Sequence, residues 1–339
     1  MTLVHHAGAR RASPHSAAVP GLLLCLAAGL VSVLLHGVLP QVSPLLLAIA
    51  LGVVMANVRT LPEAMAPGVA VAGRRLLRGG IVLLGLSVPL QAVLALGPGV
   101  LLLVVAVVAG GIALTLAWGK ALGVPPAQRL LIACGFSICG AAAVAAVTGV
   151  VDADDEDAAA AIALVVVFGT VMIGVAPLLG AALGLGVEAR GVLAGASVHE
   201  VAQVVAAGGV IGSGALAVAV LVKLARVLLL APVMAGIGLW QRRQSRGRAT
   251  GGQQPPLVPL FVVGFFVSVA ARSLGVLPQG VLDVAAQVQT LLLATAMFAL
   301  GLGVRVSGLR RLGPRPVVLG AVSTAVVTVI ASIGVLAIG

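Results

Sequence analysis

Three polar side chains interrupt one of the most apolar parts of the chain. His199, Glu200 and Gln203 follow an i, i+3, i+4, i+7 spacing with Ala196 and Ala207, which predicts that they share one face of a helix. Lipid cannot satisfy such a face, so it must turn toward protein or a water-filled cavity. Ionisable groups at this depth are costly and usually functional. This stretch is therefore the first candidate site.

Two cations stand in the next apolar run. Lys223 and Arg226 lie at a depth comparable to that of Glu200, and an ion pair between Glu200 and either of them would offset the cost of burying each charge alone. One cation then remains, and a net positive site favours an anion, for which a guanidinium group has the better geometry. His199, a residue type that changes its charge near neutral pH, and Glu200 are candidates to carry a coupling proton or sodium ion.

Plainer interpretations and other functions stay open. The Glu200 ion pair could serve only to hold two helices together, and His199 could simply bond to a backbone carbonyl. A proton or sodium antiporter would use Glu200 as the ion-binding group, and a membrane-embedded enzyme would use His199 and Glu200 as an acid/base pair. The sequence has no P-loop, dinucleotide fingerprint or H-E-x-x-H motif, and Cys25, Cys134 and Cys139 lack metal-ligand spacing. We expect reduced thiols, no metal, no cofactor and no enzymatic activity.

A second polar segment, Cys134–Gly140, brackets Ser137 with Gly135 and Gly140. Paired glycines allow a membrane helix to unwind, which exposes N–H groups and the positive end of a half-helix to an anion; alternatively, they only permit close helix packing. We expect two discontinuous helices, this segment and the one that carries His199 and Glu200, with the anion held near the membrane midplane. The candidate substrate-binding residues are Ser137, Cys139, Gly140, Ser197, His199, Glu200, Gln203, Lys223 and Arg226.

The composition predicts an all-α integral membrane protein. The chain has 339 residues, of which 61% are hydrophobic and 9% charged, whereas soluble domains carry about 25% charged residues. A polar tail at 1–18 precedes a single transmembrane domain at 19–339. With about 20 apolar residues per crossing as the template, eleven segments are candidate transmembrane helices: 19–39, 42–58, 76–96, 98–118, 126–149, 158–183, 190–209, 213–240, 257–277, 281–304 and 316–338.

The positive charges predict an orientation. If the N-terminus is cytoplasmic, most of the 20 Lys and Arg residues fall on the cytoplasmic side, including Arg74, Arg129 and Arg190, as the positive-inside rule requires. The C-terminus and the acidic run 152–157 would then lie outside. The net charge of +11 is thereby explained by topology, and no nucleic-acid partner is expected.

A short internal repeat favours inverted topology. Leu84–Val88 followed by Gly97-Pro98 recurs as Leu300–Val304 followed by Gly313-Pro314, on segments that would cross the membrane in opposite directions. Inverted repeats of this kind are typical of secondary transporters, whose binding sites lie near the midplane.

Several of these motifs together resemble the YeiH-like family of bacterial inner-membrane proteins. The residues that carry the resemblance are Cys134–Val144, the acidic run after them, Gly195–Gly208, Val222–Pro232 and Arg78–Leu86. The resemblance implies a fold of the bile acid/sodium symporter type, with inverted repeats and two crossing broken helices. It also implies export of sulfate or organosulfonates across the inner membrane.

The sequence thus leads to one hypothesis, a secondary transporter that moves a small anion by alternating access. The anion would be held by half-helix N–H groups, by Ser137 and Ser197, and by the positive field of Lys223 or Arg226. A homodimer is compatible with the sequence, which fixes neither the oligomeric state nor the coupling ion.

Overall fold

The structure, a computed structural model, describes residues 14–39, 44–148, 155–245, 260–303 and 313–339, together with residues 42, 150, 151 and 153. Within these residues the regular structure is entirely helical, which confirms the all-α prediction. Most of the predicted tail at 1–18 lies outside the described residues, and the first helix begins at Pro14.

Every hydropathy segment contains helical structure, but several are divided. The N-terminal half contains α1 (Pro14–Val38), α2 (Pro44–Val58), α3 (Ala66–Val71), α4 (Leu77–Leu84), α5 (Leu90–Leu94), α6 (Gly97–Ala121), α7 (Pro126–Ser137) and α8 (Ala141–Thr148). The C-terminal half contains α9 (Asp155–Ala182), α10 (Val187–Ser197), α11 (Val201–Ile211), α12 (Ser213–Leu228), α13 (Leu230–Ser245), α14 (Leu260–Ser273), α15 (Gln279–Leu302) and α16 (Pro314–Ile338). A π-helical turn, Ala72–Leu76, joins α3 to α4, and 3-10 turns cover Glu63–Met65 and Gly85–Ser87.

Six stretches of the described chain are long and apolar enough to cross a bilayer on their own: Ala18–Val38, Gly97–Ala121, Glu156–Ala182, Ser213–Gln241, Gln279–Leu302 and Pro314–Ile338. They make this a multi-pass membrane protein. The other apolar helices are shorter or interrupted. The expected count of eleven crossings is therefore not confirmed. Two of the counted segments, 126–149 and 190–209, form hairpins that turn back inside the molecule.

The helices pack as two bundles. In the first bundle, α1, α2, α4, α14 and α15 contact mainly one another. Glycine permits the closest of these contacts: a Cβ atom added to Gly52 of α2 would lie 3.0 Å from the Cα atom of Gly301 on α15. Small residues at helix contacts replace large side chains as the means of tight packing in a membrane.

The second bundle contains α6, α7, α9, α10, α11, α12 and α16. Its long helices α6 and α16 run antiparallel, with Gly119 against Leu319 near one end and Gly99 against Ile338 near the other. A buried hydrogen bond of 2.8 Å joins the hydroxyl groups of Thr115 and Ser323 between them. Helices α7 and α10, which belong to the two interrupted segments, both pack against this pair.

The first interrupted segment, α7 with α8, is a hairpin. After Ser137 the chain turns at residues 138–140, and α8 runs back along α7. This follows from the position of Gly135, where a Cβ atom would lie 2.8 Å from a methyl carbon of Val144. Val165 of α9 lies against both Gly135 and Gly140. A helix that continued across the membrane would separate these residues by far more than one contact distance. The expectation of a crossing helix is therefore wrong for this segment.

The second interrupted segment, α10 with α11, folds back in the same way. Gly191 and Gly195 of α10 lie against Ala215 and Ala219 of α12, so α10 and α12 run parallel. Helix α11 leads directly into α12 and runs antiparallel to it, with Gly208 also against Ala219. Helices α10 and α11 are consequently antiparallel arms of one hairpin. The physical reason both predictions failed is that a reversal and a crossing have the same hydropathy profile.

The two hairpins enter the bundle from opposite ends. Helix α9 begins at Asp155, soon after α8 ends, and ends at Ala182, a few residues before α10 begins. Its 28 residues span roughly 42 Å at 1.5 Å per residue. The bases of the hairpins are thus separated by the full length of α9, and their tips meet between its ends.

This arrangement changes the expected placement of two charged segments. The described part of the acidic run, residues 153 and 155–157, lies at the same end as the start of α7 and not at the opposite end. Val151 and Ala158 line one cavity together with Arg74 and Arg78. Arg190, expected on the cytoplasmic side with Arg129, lies at the other end because it belongs to the base of the second hairpin. Asp152 and Asp154 themselves lie outside the described residues.

The described residues support one feature of the internal repeat, the opposite direction of its two copies. Its copies begin on α4 and α15, which run antiparallel, with Gly80 against Leu293 and Gly73 against Ala299. The second copy extends into residues 304–312, which the structure does not describe. Inverted repeats over the whole chain stay a prediction.

The hairpin assignment predicts which residues share a side of the membrane. In cells or oriented vesicles, a membrane-impermeant maleimide should label Ala121→Cys and Ala153→Cys from the same side, and Gly186→Cys only from the other side. The native cysteines are buried, so their background labelling should be low. Labelling of A153C from the opposite side to A121C, together with labelling of G186C from the A121C side, would restore the crossing topology.

Candidate functional site

The tips of the two hairpins touch one another inside the molecule. Gly140 closes the first tip with a positive φ of +80° and an N–H bond of 2.8 Å to the carbonyl of Gly135, a conformation that favours glycine. At the second tip, Val198 and Glu200 are extended. A Cβ atom on Gly140 would lie 3.1 Å from the Cβ atom of Glu200. The two predicted interruptions therefore exist, but among the glycines around Ser137 only Gly140 lies at the break, whereas Gly135 lies within α7.

Arg226 of α12 holds both tips at once. It is completely buried, and its guanidinium group donates six hydrogen bonds of 2.7 to 3.1 Å to backbone carbonyls. The acceptors at the end of α7 are Phe136 and Ser137; those at the end of α10 are Gly195, Ala196 and Val198.

Lys223, one helical turn before Arg226, completes the contact. Its Nζ atom donates to the carbonyls of Ile138, Val198 and His199 at 2.8, 3.0 and 2.6 Å. An ammonium group has three donors, and all of them are used here. The predicted depth match between Lys223 and the His199–Glu200 tip is thus confirmed.

The predicted ion pair between Glu200 and a cation is wrong for the described structure. The donors of Lys223 and Arg226 are directed at carbonyl oxygens, and Glu200 forms no ion pair with either. The physical reason lies in the hairpins: each first arm ends at a buried tip, where its last carbonyls lack helical partners and carry the negative end of the helix dipole. The two cations neutralise these ends, so they are not a free positive surplus.

Glu200 occupies the opposite kind of helix end. Its own carbonyl accepts the N–H of Val204 at 2.9 Å, which begins α11, and its carboxylate accepts a hydrogen bond from the backbone N–H of Ala141, the first residue of α8. Both return arms therefore direct their positive N-terminal ends toward this carboxylate. A carboxylate is the stable occupant of such a position.

A cavity of about 340 Å³ opens in front of Glu200, at the boundary between the two bundles. From the second bundle it is lined by Cys139 and by the first-turn residues of the return arms, Ala142, Val201 and Ala202. The first bundle contributes mostly apolar side chains from α2, α4 and α15; its polar lining residues are His36, Gln289 and Thr290. Glu200 is the acidic side chain among the described residues that line it.

His199 points away from this cavity. Its Nδ1 atom lies 3.2 Å from the carbonyl of Phe136 and its Nε2 atom 3.0 Å from the hydroxyl of Thr324 on α16, and its ring packs 4.6 Å from the ring of Phe136. A carbonyl only accepts, so Nδ1 donates. This is the plainer interpretation of His199, a side chain that fastens the tip to the helices around it.

The predicted polar face 196–207 does not exist, because the helix is interrupted within it. Glu200 faces the cavity, His199 faces α16, and Gln203 turns to α9, where its amide nitrogen lies 3.3 Å from the carbonyl of Val166. Cys139 and Gly140 lie beside Glu200 as expected.

The two candidate serines do not face the cavity either. The Ser197 hydroxyl donates back to the carbonyl of Leu193 at 2.7 Å, as serine commonly does within a helix. The buried Ser137 hydroxyl is directed at Gly111 of α6 and has no hydrogen-bond partner among the described residues. Neither hydroxyl is placed to hold an anion at the cavity.

The residues that sequence analysis missed are the cavity walls. Ala142, Val201 and Ala202 line the cavity because they begin the return arms α8 and α11, and no residue type reveals where a return arm begins. Gln289 and Thr290 come from α15, far along the chain, although two adjacent polar residues in an apolar helix were an available signal.

Comparison with known proteins finds relatives along nearly the whole chain. Residues 20–320 match the family model described as conserved hypothetical protein 698. A UPF0324 membrane protein of Corynebacterium glutamicum is 50% identical over 317 residues, 94% of this chain and 92% of that protein. UPF0324 membrane proteins of Agrobacterium fabrum and Bacillus cereus are 34% and 35% identical, over 90% and 87% of this chain and 89% and 84% of those proteins. No solved structure matches.

The carbonyl contacts predict that Arg226 is essential for stability. Arg226→Ala should lower the free energy of unfolding by about 3–5 kcal/mol, since it leaves buried carbonyls without donors. Arg226→Lys should have a stability between that of the parent protein and that of Arg226→Ala, because an ammonium group has three donors where the guanidinium group has five. Thermal unfolding in detergent measures this.

Arg272→Ala, in the last turn of α14, is the matched control and should leave unfolding nearly unchanged. If R226A unfolded within about 0.5 kcal/mol of the parent protein, the carbonyl contacts would not hold the tips together.

Proposed function

The chain belongs to the UPF0324 membrane protein family, and from the geometry of its site we propose that it works as a secondary transporter of a small anion, with the cavity in front of Glu200 as its binding site. The observation that carries the proposal is that the N-terminal ends of two return arms, from hairpins entering at opposite ends, open on one cavity between two bundles. The proposal makes the protein a carrier in the bacterial inner membrane, with its basic end cytoplasmic, and not an enzyme.

The position of the cavity supports alternating access. Helices of the first bundle form one wall and hairpin residues of the second form the other, while few other contacts cross this boundary. Displacement of one bundle against the other can therefore open the cavity first to one end and then to the other. Secondary transporters with a midplane site between repeated units use this principle.

The chemistry of the cavity supports an anion that competes with Glu200. The first two N–H groups of α8 and the first three of α11 precede the helical hydrogen-bond ladder, and the Glu200 carboxylate accepts from the first N–H group of α8, that of Ala141. An anion that takes these N–H groups must displace the carboxylate, because two negative charges at one helix end repel each other. A proton on Glu200 removes that repulsion. Anion binding and proton uptake are thereby coupled, and anion affinity should rise as the pH falls.

The substrate class follows from the resemblance noted in the sequence and from the cavity walls. Sulfate and organosulfonates are tetrahedral oxyanions that suit backbone N–H groups at helix ends. The walls contributed by the first bundle are largely apolar, which favours an organosulfonate whose carbon portion can lie against them.

Flux in proteoliposomes tests the proposal. Labelled sulfate and a labelled alkanesulfonate should exchange in a saturable way, faster at acidic than at alkaline pH. Glu200→Gln keeps the size of the side chain and removes its charge. In this variant the difference in exchange rate between acidic and alkaline pH, which we expect to be roughly tenfold or about 1.4 kcal/mol in the parent protein, should disappear.

Glu188→Gln is the control, since Glu188 is an exposed residue in the first turn of α10 of the same hairpin. It should behave as the parent protein does. Absence of anion flux in reconstituted, monodisperse protein, or an E200Q variant with unchanged pH dependence, would refute the proposal.

A proton or sodium antiporter is the second candidate, and one observation favours it. Lys223 and Arg226 are fully engaged with carbonyls, so the carboxylate of Glu200 faces the cavity without a paired cation and could bind one. Sodium- or proton-driven cation flux without any added anion, abolished in E200Q and retained in E188Q, would decide for this candidate.

A further inference from the structure

A second large cavity, which Glu200 does not line, lies against the second bundle. It is a groove of about 670 Å³ between α6, α7 and α13. Its walls are almost entirely apolar, and its polar side chains stand at one rim, where Lys120 and Arg129 are joined by Trp240. At its deep end the groove reaches Cys134.

The rim is more basic than the groove lining alone indicates. Arg129 packs against Gly119 next to Lys120, and Arg315 of α16 lies beside Gly123, with its Nη1 atom 3.4 Å from where a Cβ atom would stand. Three cations thus gather where α6 ends and α7 begins. None of the described residues lining the groove is acidic.

The dimensions of the groove match one leaflet of a bilayer. Along α6 its lining extends from Ala109 to Lys120, roughly 16 Å at 1.5 Å per residue. The hydrocarbon core of a bilayer is about 30 Å thick, so one leaflet contributes about half of that. Lys120 then stands at headgroup level and Ala109 near the midplane. Trp240, at the rim, is a residue type that prefers this interface.

We propose that this groove binds one anionic phospholipid. The phosphate lies against Lys120 and Arg129, and an acyl chain follows the apolar wall toward Cys134. Basic pockets between membrane helices bind acidic headgroups in this way. A free phosphate would use only the rim, whereas an acyl chain accounts for the apolar depth behind it, so the occupant is a lipid.

The location gives the lipid a structural effect. The groove contacts α7 at Cys134, two residues before Phe136, and the carbonyls of Phe136 and Ser137 accept from Arg226. A chain lying there fills the space between α7 and α13 and steadies the first arm of the hairpin. Binding that favours the folded state raises the unfolding temperature.

The test compares lipids added to the delipidated protein in detergent. Phosphatidylglycerol should raise the midpoint of thermal unfolding, phosphatidylcholine of the same chains should raise it less, and inorganic phosphate should have no effect. Native mass spectrometry should show one tightly retained phosphatidylglycerol. In the Lys120→Gln/Arg129→Gln variant the preference for the anionic lipid should fall by roughly tenfold, which corresponds to about 1.4 kcal/mol.

Two further variants separate binding from folding. Gly236 lines the groove, and a Cβ atom added there meets nothing within 4 Å, so Gly236→Leu should block the acyl chain while the lipid-free protein unfolds as before. Arg272→Gln, at the opposite end of the molecule, should retain the full lipid response. Equal effects of the two lipids, an unchanged preference in K120Q/R129Q, or stabilisation by phosphate alone would overturn the proposal.

Discussion

The structure depends on how the buried ends of two helices are satisfied. Helices α7 and α10 end at buried residues inside the molecule, where their last carbonyls have no helical partners. Lys223 and Arg226 together donate to seven carbonyl groups at these helix ends and in the turns beside them. Each buried carbonyl left without a donor would cost about 1–3 kcal/mol. Without these two side chains the hairpin tips could not remain in contact inside the molecule, and the cavity in front of Glu200 would lose the lining residues that the tips contribute.

The same arrangement explains how opposite charges stand close together without pairing. The first arms present their negative ends to the cations, and the return arms present their positive ends to Glu200. The hydrogen bonds of each charged group therefore go to helix ends, and the charged neighbour acts on it only from a distance. The cations stabilise the tips, while the carboxylate faces the cavity.

The sequence predicted the membrane class, the two interruptions and the depth of Lys223, because each depends on local residue types. It did not predict that α8 and α11 turn back, since a reversal leaves no mark in hydropathy. That one error displaced the acidic run and Arg190 to the wrong ends and suggested a continuous polar face from Ala196 to Ala207. The sequence also suggested an ion pair for Glu200. Residue types show which side chains are charged, but they do not show that Lys223 and Arg226 bond to backbone carbonyls at helix ends.

The contacts of Arg226 also restrict how this molecule can move. One guanidinium group bonds simultaneously to the end of α7 and the end of α10, so the hairpins cannot separate from each other without breaking several buried bonds. They must travel together, with α12, as a single rigid body. The low-cost degree of freedom is then a sliding or tilting of the whole second bundle past the first, along a boundary made of apolar side chains that can exchange neighbours freely.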